Sequence, residues 1–134
     1  MAVVQAKWSD SGAILLVEDD ESMRAFLTRS LTRVGHEVLS VSDGFEALPF
    51  IVDGEFDLLV TDIVMPGMDG LELARRSSPQ IPDMKVIFIT GFAAVTLKAN
   101  RDQPQARVLS KPFHLKDLVL EVARTLDDRI SASL

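Results

Sequence analysis

Residues 56–70 read FDLLVTDIVMPGMDG. The stretch 56–61 is almost continuously apolar, and it breaks at Thr61-Asp62. Five or six apolar residues bounded by polar or turn residues suit a strand buried on both faces. Pro66 and Gly67 then shape a loop, and 71–76 reads as a helix. The same alternation extends to either side. Residues 13–17 (AILLV) and 86–90 (VIFIT) are further buried-strand runs, while 37–41 and 106–109 are weaker ones rich in Val and Leu. Met23, Phe26, Leu27, Ser30, Leu31 and Val34 recur at helical spacing, with Gly35 as the stop. Residues 45–52 and 115–126 read as further helices, the latter through the stripe Leu115, Leu118, Val119, Val122 and Leu126. Strand followed by helix five times over implies one parallel sheet covered on both faces, an α/β fold. Two stretches resist this pattern. Pro49 lies inside the second helix, where it removes a backbone donor and should kink or shorten it. Residues 100–105 (NRDQPQ) are polar and include Pro104, which predicts a short fourth helix and a mobile connection.

The chain has 134 residues, 47% of them hydrophobic and 25% charged, as expected of one soluble domain. A net charge of −6 gives no general attraction to nucleic acid or to an anionic membrane. The absence of cysteine excludes disulfides, thiolate metal sites and cysteine nucleophiles. Neither a secretory signal nor a bilayer-length apolar run is evident, so a cytoplasmic protein is expected. Residues 1–12 read as an N-terminal extension and 128–134 as a C-terminal tail around a domain at 13–127. Trp8 falls in the extension and has no assigned role.

Parallel α/β sheets carry their functional groups just beyond the carboxyl ends of the strands. Here those ends run into Glu18-Asp19-Asp20-Glu21, Thr61-Asp62, Thr90-Gly91 and Ser110-Lys111-Pro112. One rim therefore gathers several carboxylates, a hydroxyl and an ammonium. Two carboxylates about 4 Å apart repel by roughly 4 kcal/mol at an effective dielectric of 20. Raised pKa values or a bound cation must relieve this, and oxygen ligands without Cys or His suit Mg²⁺. For the run 18–21 alone a plainer account competes: acids favour a first helical turn, and Asp20 or Ser22 could be the N-cap. That account leaves Asp62 and Lys111 unexplained. An acidic first turn also disfavours a dinucleotide or flavin phosphate, which needs a glycine-rich one.

VEDD, TDIVMPGMDG, ITG and SKPF, in this order and spacing, resemble the response-regulator receiver domain. The likeness covers about 13–127 and implies a flavodoxin-like, doubly wound sheet of five strands in the order 2-1-3-4-5. It implies Asp62 as phosphoacceptor, Mg²⁺ held by Asp20, Asp62 and the backbone carbonyl of Val64, and Asp19 acting through a metal-bound water. It implies that Lys111 reaches Asp62 and then the phosphoryl oxygens, that the Lys111–Pro112 bond is cis, and that Thr90 is the switch hydroxyl. His36 and His114 read as ordinary histidines near element boundaries. Three positions depart from the family's pattern. Val108 stands where many receivers carry an aromatic ring, and neither Val64 nor Phe92 can hydrogen-bond an attacking water.

The resemblance implies a signalling protein that catalyses only its own phosphorylation and dephosphorylation, not an enzyme acting on other substrates. Its phosphodonor would be a histidine kinase or a histidine phosphotransferase, and a monomer is expected. The finer wording, TDIVMP.MDG.ELARR with FITGFAAV, resembles a single-domain alphaproteobacterial branch that regulates proteolysis by ClpXP, with ClpX and its substrates as partners. A phosphorelay intermediate and a chemotaxis-type regulator are the alternatives. A Mg²⁺-dependent phosphohydrolase is disfavoured, because neither a second acid nor a substrate cap is found.

Overall fold

The computed structural model describes residues 12–133. The expected N-terminal extension up to residue 11, with Trp8, lies outside the described residues, as does Leu134. Strands β1 (Ala13–Val17), β2 (Glu37–Val41), β3 (Leu58–Asp62), β4 (Lys85–Thr90) and β5 (Arg107–Ser110) alternate with five helices. These are α1 (Glu21–Arg33), α2 (Gly44–Asp53), α3 (Gly70–Ser77), α4 (Ala93–Asp102) and α5 (Leu115–Ser133). The strands form one parallel sheet in the order β2-β1-β3-β4-β5, the flavodoxin-like winding expected. The order reverses between β1 and β3, and a crevice opens beyond the carboxyl ends of that pair.

Alternation along the strands divides the core into two layers. Leu15, Val17, Leu59 and Phe88 pack with Ala47, Ile51, Leu73, Ala74 and Ala99 of α2, α3 and α4. Ile14, Leu16, Leu58, Val60, Ile87 and Ile89 pack with Leu27, Leu31, Leu118, Val122 and Leu126 of α1 and α5. Three helices begin on an aspartate. Asp20, Asp43 and Asp69 accept the backbone N–H of Met23, Glu46 and Glu72 at 2.9, 2.8 and 2.8 Å. Each such cap is worth about 1 kcal/mol. Phe92, which opens α4, supplies no side-chain cap.

Several elements differ from expectation at their ends. β3 starts two residues late, because Asp57 is used to hold β1: its carboxylate accepts the Ala13 N–H at 2.9 Å and its own N–H donates to the Ala13 carbonyl at 2.8 Å. α2 continues four residues past Pro49 to Asp53, anchored on the core side by Ala47 and Ile51. The mobile connection expected over 100–105 is helical as far as Asp102. Buried Ala99 pins that last turn, and Gln103 leaves the helix because Pro104 disfavours helical backbone in the residue before it. α5 stays helical to Ser133, well past Leu126. Among the described residues, no helix is long and apolar enough to cross a membrane.

Candidate functional site

The crevice takes its groups from the ends of β1, β3, β4 and β5. Glu18, the first residue past β1, still bonds to the neighbouring strand: its N–H donates to the Val41 carbonyl at 3.2 Å, and the residue is only 1% exposed. The Asp20 N–H donates to Glu18 Oε2 at 3.1 Å, and Arg24 donates to the Glu18 carbonyl at 2.9 Å. Glu18 Oε1 is buried and makes no hydrogen bond. Asp62, at the end of β3, is 7% exposed. Lys111 follows β5, with its backbone N–H on the Thr90 carbonyl at 2.8 Å. From there Nζ passes over β4 to Asp62 Oδ2 at 3.2 Å and to Glu18 Oε1 at 3.8 Å. The Lys111–Pro112 bond is cis. The Thr90 hydroxyl is buried and accepts the Phe92 N–H at 3.2 Å, so it serves its own loop.

The loop after β3 folds back tightly on the site. Gly70 donates its N–H to the Ile63 carbonyl at 2.8 Å. A Cβ there would lie 2.3 Å from the Asp62 carbonyl oxygen, which leaves room for glycine alone.

Burial dominates the electrostatics. Desolvation, reinforced by the charge of Asp62, raises the Glu18 carboxyl from 4.5 to about 7, although the Asp20 N–H and Lys111 oppose it. Desolvation also raises Asp62, and the Lys111 ammonium partly offsets this. For Lys111, burial favours the neutral amine, but Asp62 and Glu18 outweigh it and hold the ammonium above its usual range. The crevice therefore holds more negative charge than one lysine neutralises.

Glu18, Asp19 and Asp62 each offer an oxygen, and the three oxygens lie within 4.8 Å of one another. An all-oxygen donor set with one buried oxygen lacking a hydrogen-bond donor fits a hard divalent cation such as Mg²⁺. This set differs from the expected one by one residue. Asp20 does not join Asp62: its carboxylate caps α1 on the Met23 N–H, and Asp19 takes the place beside Asp62. The N-cap account thus describes what the Asp20 carboxylate does in this structure. Val64 lies two residues past Asp62 with its side chain exposed. Glu18 lies outside the expected set of site residues but joins the cluster. Its signal is positional: it directly follows a run of fully buried strand residues, so its side chain is carried under the rim.

Residues 14–123 match the family model described as the response regulator receiver domain. The chain is 53% identical over 114 residues to the response regulator receiver protein CpdR of Brucella abortus (strain 2308), covering 84% of this chain and 95% of that protein. Among solved structures it is similar to a CheY-like receiver domain protein from Methanospirillum hungatei JF-1, with a TM-score of 0.82, 28% identity, and coverage of 90% and 97% of the two chains. It is also similar to the receiver domain of the hybrid histidine kinase CckA, with a TM-score of 0.75, 34% identity, and coverage of 86% and 99%.

Proposed function

The chain belongs to the response regulator receiver family, and from that premise we propose that it is a signalling protein switched by phosphorylation of Asp62. The observation that carries this reading is the 3.2 Å approach of Lys111 Nζ to a carboxylate buried at the end of β3. Glu18, Asp19 and Asp62 would hold Mg²⁺, with the Val64 carbonyl as a further ligand. When bound, the cation neutralises charge on the transferring phosphoryl group. An Asp62 oxygen attacks phosphorus, an acyl-phosphate bond forms, and the bond from phosphorus to the donor's histidine nitrogen breaks. The imidazole leaves with the electron pair and takes up a proton. Lys111 keeps Asp62 ionised for the attack and afterwards pairs with a phosphoryl oxygen. The Thr90 hydroxyl gives up the Phe92 N–H to bond another.

The donor in this reading is a histidine kinase or histidine phosphotransferase, and the protein's catalysis is confined to gaining and losing its own phosphoryl group in the cytoplasm. The likeness to CpdR over nearly the whole of that protein supports a CpdR-like role. In that role the unphosphorylated protein engages ClpX and primes delivery of substrates to ClpXP, and phosphorylation ends the engagement. Labelling with radioactive acetyl phosphate tests the chemistry: Asp62→Asn loses the label, and undiminished labelling overturns the assignment. Capture of purified ClpX by the chain, with and without a phosphoryl analogue on Asp62, tests the role. Capture that ignores the analogue removes it.

A further inference from the structure

The outer surface of α2 does not look like the surface of a free helix. Gly44, Ala47 and Ile51 face the core, while Phe45, Pro49 and Val52, spaced i, i+4, i+7, form an outward stripe. Phe45 is 58% exposed and Val52 63% exposed, and Phe50 on the far flank is 42% exposed. Exposed Glu46 and Asp53, themselves seven residues apart, run alongside the stripe, and exposed Glu55 follows just past the helix end. The helix breaks three local rules at once. It carries a proline in its interior, an acid where its C-terminal dipole favours a base, and large apolar side chains towards water. Violations concentrated in one element mark a surface kept for something other than stability.

Charge indicates what that is. Between Val34 and Ala74 the chain has nine Asp and Glu and no Lys or Arg, whereas the remainder has eleven acids against fourteen bases. Arg75 and Arg76, the next cations along the chain, are both bonded to Glu72, at 2.5 and 2.7 Å. Asp62 and Glu72 of this stretch are paired with Lys111 and with the two arginines, and Arg24 of α1 acts on Glu46, so the excess of acid beside the apolar stripe rests on Asp43, Glu46, Asp53 and Glu55. An apolar anchor row within an acidic field is complementary to an amphipathic segment with bases on its flanks. We propose that the outer face of α2 is a docking surface for a helical protein segment with an apolar stripe bordered by Lys and Arg. The surface is separate from the Asp62 crevice, and it does not depend on the reading of that crevice.

The test uses the full chain, isotope-labelled, and two helical peptides with the same Leu stripe at i, i+3, i+4 and i+7. One peptide carries Lys at its other positions and the other carries Glu. The Lys peptide is expected to shift the amide resonances of residues 44–55 and of Gly67, which lies against Phe45, and the Glu peptide to shift none. Val52→Lys should weaken binding at least about tenfold, while Leu97→Ser on α4 leaves it unchanged. Asp53→Lys separates binding from folding: it should weaken binding while raising the melting temperature, because a base suits the last helical turn. Shifts confined to α4, α5 or the Asp62 crevice overturn the proposal, as does equal binding of the two peptides or no binding at all. Sedimentation showing that the chain alone dimerises through Val52 would make a second copy the occupant, and would overturn it too.

Discussion

Glu18 costs the protein stability in its ionised form. Its carboxyl titrates near 4.5 when exposed in the unfolded chain and is raised to about 7 by burial in the fold. The folded state therefore binds more protons between those values. Stability present below about pH 4.5 is lost as pH rises through about 7, by about 3 kcal/mol. Denaturant unfolding of the metal-free protein from pH 5 to 8 should show this decline, and Glu18→Gln should flatten it. Excess Mg²⁺ at pH 8 should restore part of the loss. A flat profile in the parent chain would mean that the burial is relieved in another way. On the proposed reading Asp19 would face the cation while Asp20 caps α1, so their variants should part company. Asp20→Ala should cost 0.5–2 kcal/mol through the lost cap while leaving Mg²⁺ affinity nearly intact. Asp19→Ala should weaken Mg²⁺ binding, seen by titration calorimetry, at little cost in metal-free stability. The sequence alone could say that these carboxylates crowd one rim. Which of them turns inward depends on where β1 yields to α1, and a shift of one residue there exchanges a ligand for a cap.

At the scale of elements, α4 is the least firmly tied of the helices after β1 to β4. It lacks a side-chain cap, and only Ala99 in it is fully buried. Phe92 at its N-cap and Leu97 within it are both exposed and add little apolar anchoring. The Phe92 N–H rests on the Thr90 hydroxyl, so a phosphoryl group that draws this hydroxyl away removes a bond from the first turn of α4. Half-buried Val108 packs against the core where a large ring would otherwise couple to that movement. Hydrogen exchange should therefore show weaker protection over 91–96 when a phosphoryl analogue sits on Asp62. Unchanged protection across 91–107, with changes elsewhere, would exclude this segment as the output. Local composition was a poor guide to the length of α4. Its last turn is held by one buried alanine, and a polar string gives no sign that a core lies beneath it.

Across the whole molecule, the alternation of buried runs and amphipathic stretches was sufficient to read the architecture, because a parallel sheet covered on both sides needs those two patterns and little else. The sheet keeps its two apolar layers apart. Leu73→Ala beneath α3 and Leu27→Ala beneath α1 should each cost 2–5 kcal/mol. Their double variant should be additive within about 0.5 kcal/mol, because the two sites share no partners. Marked non-additivity in chemical denaturation would show that the layers communicate through the strands. On the proposed reading, Lys111 would provide a route for a signal that such a core does not. It starts at the sheet's last strand and, like a rope thrown over a wall, reaches Asp62 at the centre across β4. News of a bond made at the centre can be hauled to the rim while the masonry stays still. A chain with that rope cut would still carry the phosphoryl group, yet fall silent at the turn into α5.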